Sequence, residues 1–362
     1  MRGNDKQQGA VFSYINSEDG IPADHPCRRI RVMMDGAVAE LWAHFEALYA
    51  QRGRPWIPPE QLLRALLLQV LDSIRSERQR MEPIDDNLRY RWFIGRNPDD
   101  AVWDATVFSQ NRDRMRAGEI WQRLLEAVLE QAGQQELLSE EHFTVEGTLI
   151  EAWASRQSFV PQDEPAAKGS GGGGKKLLRD TPPSKTDPQA RLYKRGAAGE
   201  ARPSYLGHVL MENRHGLVVA AWATQSSTTA EREAALRMLE ERGRSPGQIT
   251  APRPAITLGA DKLYQEEKFM VGLRPRKVIP HVAEYPSNEP WPNWLTEEER
   301  QHPGYALRQK KRKLVEKVFG GGKQDSILRQ VKVRGEERVD WFFPFLATAT
   351  NLVRMRKLIP AV

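Results

Sequence analysis

The chain has 362 residues, a single cysteine, and a formal net charge of +6 from 54 Lys and Arg against 48 Asp and Glu. Its 40% hydrophobic content, with 10 Trp, is enough for real cores and excludes a wholly disordered chain. Cys27 alone excludes an internal disulfide framework and a four-cysteine zinc module, and it fits a reducing, cytoplasmic setting.

No targeting or membrane segment is expected. The N-terminus is polar, and the most apolar run, 62–71, is broken by Arg64 and Gln69. That run is far short of the ~20 residues a spanning helix needs. The charge is unevenly spread. Residues 1–150 carry 18 basic and 24 acidic residues, so 18 − 24 = −6; residues 151–362 carry 36 and 24, so 36 − 24 = +12. The rear excess suggests a polyanionic partner, most often nucleic acid; the alternative is a solvated basic surface.

Residues 1–142 read as a helical region. Pro58 and Pro59 can start a helix carrying Leu62, Leu63, Leu66, Leu67, Val70 and Leu71 at 3–4 spacing. Asp104 can cap a helix with Val107, Phe108 and Met115, and Ile120, Leu124, Leu125, Val128 and Leu129 form another stripe. The arginines 75, 78, 80, 112, 114 and 116 suit either a helix-turn-helix-like DNA reader or a plain bundle with exposed cations.

The pattern changes at 143, where 143–148 reads as a strand. Residues 160–204 are rich in Gly, Pro, Lys and Ser and predict a flexible insertion. Its glycine run, 171–174, lacks the ending of a phosphate-binding loop, because Lys175 is followed by Lys176. Then come strands at 204–213 and 217–224 joined by a turn, a helix at 228–242, a strand at 255–260, a helix at 266–273 and a strand at 277–282. Residues 284–303 show no period and predict an insertion loop. A very basic helix is expected at 305–319, then a hairpin-like segment and a helix within 328–358. The order predicts an α+β fold whose core is a mixed sheet of about five strands, residues 143–362.

Three acids stand where chemistry could use them. Glu146 lies in the first strand, Asp261 ends the fourth, and Glu316 lies in the basic helix. If the first and fourth strands are neighbours, their acids meet at one sheet edge and the helix adds the third. Three convergent carboxylates suit two divalent ions that cut phosphodiesters. Each acid also has an ordinary reading: Glu146 before Gly147 and Asp261 as turn residues, Glu316 in a surface ion pair with Arg312. Around Glu316, Arg308, Lys310, Lys311, Arg312, Lys313 and Lys317 could meet phosphates. Positions 312, 316 and 323 share a helix face only if the helix passes Gly320, Gly321 and Gly322, which the helix cost of glycine opposes.

These residues resemble a known family. The segments 21–26, 57–69, 73–79, 90–95 and 108–114 are similar to the front of bacterial insertion-sequence transposases of the DDE type, in the superfamily named for insertion sequences four and five. Val145-Glu146-Gly147-Thr148 resembles the segment with that family's first catalytic Asp, and Gly259-Ala260-Asp261-Lys262 the segment with the second. Arg312, Glu316 and Lys323 reproduce its Arg-x3-Glu-x6-Lys signature. The resemblance implies an RNase H-like core and use of Mg²⁺ (or Mn²⁺) by Glu146, Asp261 and Glu316. It implies Lys262, Arg308, Lys310, Lys311, Arg312 and Lys323 as DNA-binding or supporting residues. It also implies double-stranded DNA partners (terminal inverted repeats and target), a homodimer or higher oligomer on DNA, and a nucleoid-associated bacterial setting. Four departures stand out: Glu146 for Asp, Gln265 where many relatives have Asp, Gln309 for Tyr, and Gly320-Gly321-Gly322-Lys323 for Gly-Trp-Ile-Lys. They leave open a catalytically impaired, DNA-binding descendant. A host nuclease with the same core is a third reading.

Overall fold

A computed structural model describes residues 16–49, 57–74, 77–159, 183–194, 200–242, 255–324 and 330–360. Seven helices come first: α1 (Pro26–Glu40), α2 (Trp42–Leu48), α3 (Pro59–Leu71), α4 (Glu77–Asp86), α5 (Leu88–Ile94), α6 (Ala105–Ala117) and α7 (Ile120–Gln134). Their starts follow from local chemistry. Pro59 opens α3, and the Asp104 carboxylate caps α6 by accepting from the Thr106 N–H.

The sheet follows, with β1 (His142–Glu151), β2 (Arg191–Tyr193), β3 (Arg202–Glu212), β4 (Val218–Gln225), α8 (Ala230–Arg242), β5 (Ile256–Ala260), α9 (Glu267–Leu273) and β6 (Val278–Val282). The chain ends in α10 (Glu297–Gln301), α11 (Tyr305–Lys311), α12 (Lys313–Gln324), α13 (Glu336–Asp340) and α14 (Phe342–Leu358). Apart from the short β2, which pairs with β3, the strands lie in the order β4-β3-β1-β5-β6. β3 is antiparallel to β1 and β4 is antiparallel to β3, whereas β5 and β6 run parallel to β1. A three-strand meander extended by two parallel strands on the other side of the first is the RNase H-like arrangement.

Alternation along β1 sends Phe143 and Val145 to one face, where α8 and α9 pack with Met238, Phe269 and Met270. Thr144, Glu146, Thr148 and Ile150 go to the other face. There α12 and α14 pack, and the front helices α1, α3 and α7 close over α14 in the same apolar cluster. α14 is buried along nearly its whole length, as expected of a helix apolar all round. Trp121 of α7 lies 4.7 Å from the Trp341 ring and 5.5 Å from Phe345, so front and rear share one core. On β3, a Cβ at Gly207 would run into the Phe343 ring, so only glycine lets α14 lie this close to the sheet.

Several expectations change. Of the insertion expected at 160–204, residues 160–182 and 195–199 lie outside the described residues. The remainder is partly sheet: β2 pairs with the start of β3, and Asp187 accepts from the Tyr205 hydroxyl at 2.8 Å. The aperiodic 284–303 contains α10, started by a reciprocal cap between Thr296 and Glu299. The described part of the hairpin-like segment after 328 is instead an irregular, bent stretch joined to β1 by one parallel bridge, Glu151 to Gln330; residues 325–329 lie outside the described residues.

Two buried ionisable groups give opposite pH signatures. Burial pushes the Asp340 carboxyl, which accepts from the Ala223 N–H at 2.6 Å, up to about 6. Above that pH the folded state carries a charge that costs more inside than in the unfolded chain; below the unfolded value of 3.8 the penalty vanishes. Asp340→Asn should therefore raise the melting temperature at pH 7.5 and give no gain at pH 3.5, which thermal melts at the two pH values would check. Burial pushes His208 down to about 3, so its contribution falls as pH drops below 6.5.

Candidate active site

β1 and β5 are in register through His142–Thr257, Phe143–Leu258 and Thr144–Gly259. The fit is close, since a Cβ on Gly259 would sit 3.1 Å from the Thr144 hydroxyl. Two residues beyond the last pair stand Glu146 on one strand and Asp261 at the end of the other. Parallel neighbours at equal steps face the same side of the sheet, about 4.8 Å apart. The topology therefore brings these two carboxyl-bearing positions to the same end of neighbouring strands, with Glu146 on the face covered by α12 and Asp261 just past the end of β5. Asp261 also has its ordinary role: its side chain accepts from the Leu263 N–H and starts a short turn at Lys262–Tyr264. On the opposite face a Cβ at Gly147 would meet the Glu231 carboxylate at 2.6 Å, so that side chain would have to shift.

Glu146 is only 8% exposed. A carboxylate on an apolar sheet face needs a partner, and the Arg312 guanidinium lies 3.9 Å from Glu146 Oε2. Arg312 occupies a turn. The basic helix expected as one piece is two, α11 and α12, with Arg312 between them. The glycines do not end α12, whose backbone continues to Gln324. Its inner face, Val315, Val318 and Phe319, is buried and holds it along β1, and this packing outweighs the helix cost of glycine.

Glu316 lies one turn into α12 and is exposed. The expected Arg312–Glu316 ion pair is not formed, because Arg312 turns to Glu146. Among the described residues no three acidic, His or Cys side chains stand close enough to hold a metal ion. The elements bearing the three acids are brought together; the carboxylates themselves are not gathered.

The expected basic residues separate into two groups. Lys310, Lys313 and Lys317 are exposed, whereas Lys311 donates to the Asn213 carbonyl at 3.1 Å and so anchors α11 to the end of β3. Lys262 pairs with Glu289 at 2.7 Å, and this hydrogen bond holds its ammonium above the usual lysine range. The side chains of Arg308 and Lys323 lie outside the described residues. Sequence reasoning missed several supports. Gln309 donates to the His281 carbonyl at 2.7 Å and Tyr305 to the Val282 carbonyl at 2.8 Å, docking α11 on β6. Gln265 accepts from the Trp294 N–H at 2.8 Å, tying 284–303 beside Asp261. Gln309 and Gln265 are two of the departures from the resembled family, so those changes have structural uses here.

The α6 arginines do not form an outward reading face. Arg112 lies over the Trp341 ring, Arg114 over Tyr49, and Arg116 pairs with Glu337 at 3.0 Å. Arg78 and Arg80 have side chains outside the described residues, as does the whole of Arg75.

Comparison with known proteins bears on this site. Residues 15–114 match the family described as a transposase domain (DUF772), and residues 287–356 match the transposase DDE domain. The second match contains Arg312, Glu316 and Lys323; Glu146 and Asp261 precede it. No curated protein matches the chain. Among solved structures, the Mos1 strand transfer complex is 10% identical, with 85% of this chain and 79% of that chain covered and a TM-score of 0.21. The Mos1 transposase paired-end complex with left transposon end is also 10% identical, with 88% and 84% covered and a TM-score of 0.21. Likenesses that slight add nothing to the strand order. The front helices are thus similar to a transposase domain, and the region around α12 is similar to a transposase DDE domain.

Proposed function

We propose that the chain binds the terminal inverted repeats of an element of the insertion sequence four and five superfamily, cuts DNA strands there, and joins them to target DNA. The front to residue 142 would help hold the ends or the partner subunit, and residues 143–362 would carry the chemistry. The reading is supported by the β1–β5 register, which sets Glu146 and Asp261 at equal steps beyond the last paired residues of two parallel strands.

The donor set suits Mg²⁺ or Mn²⁺, because all three candidate ligands are carboxylates and hard cations take oxygen. Glu146 and Asp261 would hold the ion from the sheet and Glu316 from the helix. Such an ion, when bound, activates a water or a 3′-hydroxyl and stabilises the leaving oxygen. The protein's own part is positional. Arg312 orients Glu146 and offsets its buried charge. Asp261 is fixed by its turn, and Lys310, Lys313 and Lys317 offer exposed cations to the phosphates.

A second reading, a DNA-binding descendant impaired in catalysis, is favoured by Glu146 itself and by its engagement with Arg312. One experiment separates the two. The full chain is incubated with plasmid DNA carrying the element ends, with Mg²⁺ or with EDTA. Nicking and joined products in Mg²⁺ alone support the enzyme; tight binding without cleavage supports the impaired form. Cleavage without joining would favour a nuclease.

A further inference from the structure

Beyond the end of β1 is a surface feature that the candidate active site does not use. Trp153 is 46% exposed. The Lys332 ammonium lies 5.8 Å from its ring centroid and the Arg334 guanidinium 5.2 Å. Both cations come from the irregular segment after Gln330, whose start is held to β1 by the Val331 N–H donating to the Glu151 carbonyl at 3.1 Å. Val331 is buried, while Lys332 and Arg334 are exposed. Gly335 ends the stretch at φ +87°, a conformation that favours glycine, and its N–H donates to Asp187 at 3.2 Å.

The charges here are not neutralised. Nearby Arg202 and Arg156 pair with Glu151 and Glu200, but among the described residues neither Lys332 nor Arg334 has a carboxylate partner. An indole attracts cations through its ring face without cancelling their charge. Trp153 thus holds two flexible cations in place and leaves them available to an anion.

Position identifies the anion. Trp153 is seven residues past Glu146 on the same strand direction, at most about 25 Å away at ~3.5 Å per residue. A DNA strand advances about 3.4 Å per nucleotide, so DNA seated at Glu146 and Asp261 and running along β1 reaches Trp153 within about seven nucleotides. We infer that Lys332 and Arg334, positioned by Trp153, clamp the phosphate backbone of DNA at that distance from the reacting bond. The clamp rests on the proposed function, because its ligand is the DNA of that reaction.

The test is binding of a fluorescein-labelled DNA duplex to the full chain, followed by anisotropy over a range of salt. Each lost phosphate contact lowers the slope of log affinity against log salt by about 0.9, so Lys332→Ala with Arg334→Ala should lower it by about 1.8. The charge-preserving pair, Lys332→Arg with Arg334→Lys, should keep the slope. Trp153→Ala should weaken binding about 2–5-fold, the size of a surface cation–π contact, and Trp153→Phe should restore most of it. Arg156→Ala, which removes an already paired cation, should leave the slope unchanged. Thermal melts confirm that each variant is folded. If the wild type binds and the double alanine variant keeps the full slope, the clamp is wrong and the transposase reading stands. Failure of the wild type to bind any duplex would remove both.

Discussion

Replacing Glu146 by Asp should speed Mg²⁺-dependent strand cleavage, by up to about 10²-fold, which is the cost that a misplacement of about an ångström can carry. The side chain of Glu146 is one methylene longer than the Asp that the resembled family has at this point. Its carboxylate reaches toward Arg312, 3.9 Å away, on a face where Asp261 is the neighbouring acid. Shortening the side chain draws the carboxylate back toward the strand and loosens its pairing with Arg312. Glu146→Ala, by contrast, should abolish cleavage while duplex binding stays within a few-fold of wild type. A strand-transfer gel on the element ends measures both. An aspartate variant no faster than wild type would show that the site is built for Glu, and an active alanine variant would remove Glu146 from the chemistry.

The largest expected loss of stability comes from a residue far from the carboxylates. Asn351 is fully buried in α14, and its side chain serves the first residue of β4 as a neighbouring strand would. Its Oδ1 accepts from the Val218 N–H at 2.8 Å and its Nδ2 donates to the Val218 carbonyl at 2.8 Å. Asn351→Leu keeps the number and branching of side-chain heavy atoms, although the methyls are bulkier, and leaves two buried backbone groups unpaired. At about 1–3 kcal/mol for each unsatisfied group, the variant should lose about 2–6 kcal/mol. Urea unfolding of the two proteins gives the difference directly. A loss under about 1 kcal/mol would mean that water reaches Val218 and takes over both bonds.

The strands and helices of the rear were readable because their signals are local. The strands expected at 204–213 and 217–224 and the helix expected at 228–242 appear as β3, β4 and α8 with ends moved by at most two residues. The basic helix was misread as continuous, since its break at Arg312 follows from a tertiary partner, Glu146. The stop expected at Gly320–Gly322 does not occur, because burial of Val315, Val318 and Phe319 against the sheet holds the helix. Lys311, Arg112 and Arg114 looked like free cations, and only their distant partners, Asn213, Trp341 and Tyr49, show them to be internal supports.

By itself the sequence determined which residues could do chemistry: Glu146, Asp261 and Glu316, the rear-weighted charge, and the acid standing where the resembled family has a shorter one. Those are matters of side-chain identity and spacing along the chain. Tertiary structure decided which of them meet. The register of β1 and β5 sets Glu146 beside Asp261, the turn at Arg312 gives Glu146 its cation, and α14 joins the negative helical front to the positive rear in a single core. Such pairings depend on contacts between residues more than 100 positions apart, where local preference and periodicity carry no information. The net charge of +6 is likewise a sum that hides its parts: cations such as Lys311 brace the fold, while Lys310, Lys313, Lys317, Lys332 and Arg334 stay exposed.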